Sequence, residues 1–136
     1  MSALRDRQTD APPATAENPH VGSVGCYGVE LSKVAYWRED GDHVFRSMEY
    51  DVIAADEDFY KAVHAFVRNS IDYARFLSEA EDRTGTDVEI ANMIMGRIVG
   101  IWEAVQRERE RPILRRLRHG RRRRGNRWHL HPAAQS

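Results

Sequence analysis

Four consecutive arginines, Arg121, Arg122, Arg123 and Arg124, stand between Gly120 and Gly125, with Arg115, Arg116 and Arg118 before them and Arg127 and Trp128 after. Arginine is always charged, and its planar fork of donors grips a phosphate group through two parallel bonds. A run of arginines between glycines can follow a phosphodiester backbone without a fixed fold, and an indole beside it can stack on a base. These residues suit salt-sensitive binding of DNA or RNA, with Arg115, Arg116, Arg118, Arg121, Arg122, Arg123, Arg124, Arg127 and Trp128 as the contacting set. Phosphate contacts of this kind position a nucleic acid but carry little sequence information. The same charge would also serve as a solubilising tail, or as a partner for an acidic protein surface.

The remaining chemistry-bearing residues have simpler explanations. His129 and His131 lie two apart, too few to hold a metal firmly without further ligands. His64 reads as a histidine at the edge of a core, and His43 as a solvent-facing residue beside a turn. Asp56, Glu57 and Asp58 sit where a helix begins, and the positive end of its dipole accounts for them. The single cysteine, Cys26, reads as a small half-buried hydrophobe and has no partner for an internal disulfide. No zinc pattern, phosphate loop or nucleophile beside a base is visible, so the sequence predicts neither an enzyme nor a cofactor nor a metal.

The charge is split along the chain. From Arg107 to Ser136 there are eleven arginines and two acids; Met1 to Gln106 holds ten basic residues against nineteen acids. The formal net charge of zero is the sum of two opposed parts, an acidic body and a basic end. A chain of 136 residues has room for one domain with tails. No apolar run reaches the ~20 residues that span a bilayer, and the first residues lack the apolar core of a secretory signal. A cytoplasmic protein without membrane contact is the expectation.

The elements that must position these residues follow from periodicity. Residues 1–20, with Pro12, Pro13 and Pro19 and no apolar pattern, predict a disordered lead. Gly22, Gly25 and Gly28 are expected to break any regular element before Val29. Val29 to Trp37 reads as a strand whose alternation slips near Ser32 and Lys33, as a bulge would cause. Asp40-Gly41 marks a tight hairpin turn, after which Val44, Met48, Tyr50 and Val52 share one face of a partner strand. Phe59, Val63, Phe66, Ser70, Tyr73 and Leu77 recur at helical spacing, in a helix capped by Asp56 and ending near Arg83. Thr86 and Glu89 form a capping box for a second helix, and Gly96 and Gly100 within it suggest a close crossing. The fold class is α+β: a small antiparallel hairpin or three-stranded sheet packed on two helices. Its domain spans residues 21–111, followed by an arginine-rich tail over 112–136. Tyr36, Trp37, Tyr50, Val52, Phe59, Val63, Phe66, Leu77, Ile94, Ile98 and Trp102 are the expected core.

The stretch from Val44 to Val63 runs from a strand through a small-residue turn, Ala54-Ala55, into a helix opened by Asp56-Glu57-Asp58. In this it resembles the N-terminal domain of HicB-type antitoxins, over about residues 29–77. The likeness departs from the family in lacking a Pro-Asp-Leu-Pro-Gly stretch near Ser47 to Asp51. A second helix also stands where a further strand is expected. The resemblance implies a non-catalytic regulator that binds a protein partner and nucleic acid, and no family residues carry over as sites. Taken with the arginines, the expected function is an antitoxin-like, nucleic-acid-associated regulator. The alternative is a protein-interaction module whose acidic body binds a partner. Exposed sheet edges make a homodimer plausible.

Overall fold

A computed structural model describes residues 13–110 and 128–132. Strands β1 (His20–Cys26), β2 (Val29–Glu39), β3 (Asp42–Ser47) and β4 (Ile53–Asp56) precede helices α1 (Phe59–Glu79) and α2 (Gly85–Arg109), and β5 (Trp128–Pro132) follows. The fold is α+β, with a five-stranded antiparallel sheet of order β4-β3-β2-β1-β5. The sheet is larger than the hairpin or three strands expected, because three unanticipated strands extend the β2–β3 hairpin: β4 beside β3, and β1 then β5 beyond β2.

Both tight turns are set by backbone handedness. Asp40 and Gly41 (φ 52° and 86°) join β2 to β3, and Tyr27 and Gly28 (φ 49° and 79°) join β1 to β2. Positive φ at both central residues is the conformation whose twist matches the flanking strands. The slip in β2 is real: Val24 pairs with Ser32 and Gly25 with Glu30, so Leu31 is the extra residue. Leu31 and Ser32 are consequently both buried.

Gly22 and Gly25 do not break the chain as expected; they lie within β1. Glycine is needed there for proximity. A Cβ on Gly22 would overlap the His131 carbonyl of β5, and one on Gly25 would overlap the Val29 carbonyl of β2. Gly22→Ala should therefore cost about 1–3 kcal/mol. Native-state hydrogen exchange should then quicken in β1 and β5 while the helices stay protected; unchanged protection in β5 would contradict this packing.

The strand expected to run from Val44 to Val52 instead ends at Ser47. The Ser47 hydroxyl accepts bonds from the backbone N–H groups of Glu49 and Tyr50, each 3.0 Å long, which turns the chain toward β4. Met48 is thrown outward, 56% exposed, while Tyr50 and Val52 fold back into the core. The Tyr50 hydroxyl donates to Ser70 on α1 at 3.0 Å, and the Ser32 and Ser47 hydroxyls lie 2.8 Å apart. No described buried side-chain nitrogen or oxygen lacks a partner, so this polar seam does not weaken the core.

Asp58, not Asp56, caps α1: its carboxylate accepts from Lys61 N–H at 2.9 Å, and Asp56 accepts from Asp58 N–H. The helix ends at Glu79, earlier than Arg83, with Ala80 as its cap. The capping box of α2 is Thr84 with Asp87, two residues before the Thr86 and Glu89 pair expected.

The main core joins Val24, Leu31, Val34, Phe45, Val63, Phe66 and Ile94, all fully buried, with Tyr36, Tyr50, Val52 and Leu77. Phe59 and Ile98 are only partly buried against it. Trp37 faces the other side of the sheet, in a small cluster with Ala14, Ala35 and Val44. The lead is therefore not wholly disordered, since Ala14 covers this face and His20 opens β1. Trp102 was expected inside and is 59% exposed; with Val88, Met95 and Val99 it forms an outward apolar stripe on α2. A Cβ on Gly96 would meet nothing within 4 Å, and one on Gly100 only Val29 at 3.6 Å, so no close crossing occurs.

Arg97 fastens α2 to the sheet. It donates to both carboxylate oxygens of Glu49 at 2.7 and 3.2 Å and to the Leu31 carbonyl at 3.0 Å. Burial alone would raise the Glu49 carboxyl. The Arg97 bond, the Lys33 N–H and the two positive charges outweigh it and hold the carboxyl below the usual range. A lowered folded-state value means that stability from ionised Glu49 is complete above the ordinary glutamate range. It is lost as pH falls through the folded value. Arg97→Met should cost about 1.5–3 kcal/mol at neutral pH and flatten the acid limb of the stability profile. An unchanged limb in denaturant titrations across pH would show that Glu49 is not held by this pair.

Candidate nucleic-acid interface

The arginine-rich segment joins two described elements. Residues 111–127 contain nine arginines and no acid, and the described residues on either side contain ten basic residues against nineteen acids. The segment leaves α2, whose last turn carries Arg107 and Arg109 beside the negative end of the dipole. Trp128, the first residue of β5, follows the segment. Arg115, Arg116, Arg118, Arg121, Arg122, Arg123, Arg124 and Arg127 lie outside the described residues. Trp128 alone of the expected contact set is described. It belongs to a paired strand, so residues 128–132 are part of the sheet and not of the arginine-rich tail expected over 112–136; the rest of that expected tail lies outside the described residues.

Alternation sets the faces of β5. Trp128 pairs with Cys26 and Leu130 with Val24 across the β1–β5 ladder, and both pack partly buried against the main core. His129 and His131 take the opposite face, exposed, with ring centroids 4.9 Å apart. Desolvation and the neighbouring His131 lower the pKa of His129. Among the described residues, no group of three or more histidine, cysteine, aspartate or glutamate side chains is placed to hold a metal ion.

Trp128 meets α1 across a shallow groove of about 490 Å³. The helix contributes His64, Arg68, Ile71 and Arg75, spaced at turns of one face, with Val67 and Asp72 between them. The groove thus has an aromatic wall, an apolar floor and two guanidinium groups. Asp72 and Arg75 are 3.9 Å apart and both well exposed, a contact that leaves Arg75 largely available. His64 is exposed here, and does not lie at the core edge as its sequence position suggested. The signal for these residues was legible: His64, Arg68, Ile71 and Arg75 recur at four, three and four. Only the position of Trp128, set by a strand pairing of long sequence separation, was not.

His43, expected in solvent, is half-buried. Its Nδ1 lies 2.7 Å from the Tyr36 hydroxyl, and its ring packs edge-on to Phe59 at 5.3 Å. Burial lowers the His43 pKa, with Arg38 adding to the effect, and burial raises that of Tyr36. This pair is walled by Phe45 and Phe59 and ties β2 to β3.

A scan against protein-family models found no match, and searches of curated proteins and of solved structures found none either. No described helix is long and apolar enough to cross a membrane.

Proposed function

We propose that this chain is a non-catalytic regulatory protein, antitoxin-like, that associates with DNA or RNA through residues 111–127. What supports the reading is one observation: nine arginines without an acid stand between two ordered elements of an acidic body. Chain ends held in place reduce the conformational freedom lost when such a segment wraps a polyanion. The body's own negative charge disfavours contact elsewhere on its surface, so binding concentrates on this segment and on the groove beside it. Fluorescence anisotropy with labelled 20-residue DNA and RNA strands tests the proposal. The full chain should bind with a dissociation constant of about 1–100 µM at physiological salt, tightening as salt is lowered. Absence of binding at 50 mM salt rejects it.

The exposed stripe of Val88, Met95, Val99 and Trp102 favours a second reading, a protein-interaction module. That reading replaces the first if a protein partner copurifies after nuclease treatment and the arginines prove dispensable for every polyanion.

A further inference from the structure

We infer that the α1–β5 groove seats an unstacked base, so the nucleic acid bound is single-stranded. The inference rests on the nucleic-acid reading above and narrows it to a ligand class. Arginines in a segment can grip any phosphodiester, duplex or single strand. The groove adds what duplex DNA or RNA has no use for: an aromatic wall. In a duplex the base faces are stacked on one another and closed to a protein side chain, whereas a single strand can turn each base outward onto an indole.

Several features fit the groove to that task. Its volume, about 490 Å³, is that of a small-molecule site and accommodates a base with its sugar. Trp128 is held by strand pairing to Cys26 and so keeps its position without a ligand. Val67 and Ile71 supply an apolar floor, and Arg68 and Arg75 line the same groove, where they can meet the flanking phosphates. Among the described residues Arg68 forms no ion pair, and the Arg75–Asp72 contact is long and exposed. In sequence, Trp128 directly follows Arg127.

The test uses the full chain and four probes at matched salt: a 15-residue oligothymidylate, the corresponding oligouridylate, a 15-base-pair duplex, and polyphosphate, which has charge and no bases. Both single strands should bind at least ten-fold tighter than the duplex or polyphosphate. Trp128→Leu keeps an apolar side chain against α1 and removes the stacking face. It should weaken the single strands about ten-fold and change duplex and polyphosphate affinity less than two-fold. Arg68→Ala with Arg75→Ala, both on the solvent side of α1, is the second variant and decides the matter if Trp128→Leu disturbs folding. It should weaken the single strands at least five-fold and lower the steepness of their salt dependence. Equal affinity for all four probes, unchanged by the variants, overturns the groove as a base site while leaving the basic segment as a polyanion grip. No binding to any probe overturns the proposed function itself.

Discussion

Exchanging Arg121, Arg122, Arg123 and Arg124 together for glutamine should lower nucleic-acid affinity about a hundred- to a thousand-fold at 0.1 M salt. Each phosphate contact contributes about 0.7–0.9 to the slope of log affinity against log salt, so four lost contacts remove about three units. Lines that converge near 1 M salt then separate by up to about three orders of magnitude at 0.1 M. The loss should be uniform across sequences, because these contacts position the strand and do not read it. Thermal stability should stay within about 0.5 kcal/mol if these side chains serve the ligand and not the fold. Anisotropy and thermal melts on the same samples check both parts. A sequence-selective loss, or a loss of fold, would place these arginines in a different role.

Phe66→Ala is the largest expected effect on stability, a cost of about 3–5 kcal/mol. Phe66 is fully buried at the centre of α1, in one cluster with Phe45, Leu31 and Ile94. Its ring stacks on Tyr50 at 6.4 Å, and Tyr50 is the residue that carries the bend after β3 back into the core. Truncation leaves a cavity bounded by elements that are fixed on several sides: Tyr50 by its bond to Ser70, α2 by the Arg97–Glu49 pair. Little relaxation is available to fill it. Most single domains have only about 5–15 kcal/mol in total, so this variant should be marginal near 37 °C. Denaturant unfolding gives the value; a loss below about 1 kcal/mol would mean that the core is not packed on Phe66.

Much of this architecture was legible in the residues, and the failures share a cause. Asp40-Gly41 fixed the β2–β3 turn through local backbone preference, and the 3.6-residue stripe from Phe59 to Leu77 fixed α1, because both signals act over a few residues. The slip in β2 was also visible, displaced by one residue from Leu31. What escaped depends on distant partners. Gly22 and Gly25 look like breakers until the carbonyls of His131 and Val29 are placed against them. Trp128-His129-Leu130-His131 alternates like a strand, yet its pairing partner β1 lies about a hundred residues earlier. Five residues after an arginine run read as a tail. Ser47 looked like one more residue of a strand because its hydroxyl bonds, which end that strand, are not a matter of hydropathy.

For the candidate site, composition revealed the arginine set, and helical spacing put the α1 groove residues on one face without showing what lies opposite them. His64, Arg68 and Arg75 were ordinary polar positions on an amphipathic helix until Trp128 arrived opposite them. Trp102 misled in the other direction. Its spacing from Ile94, Ile98 and Ile101 is compatible with a broad buried face, but the helix packs through Ala91, Ile94, Ile101 and Ala104, a narrower one.

On the proposed function, a basic segment between two elements of an acidic body holds a nucleic acid through its phosphates. The most direct measurement is the affinity of the full chain for one oligonucleotide from 50 to 400 mM salt. Nine arginines predict a straight line of log affinity against log salt with a slope between about −6 and −8. A slope near zero, with binding that persists unchanged in 400 mM salt, would contradict the account.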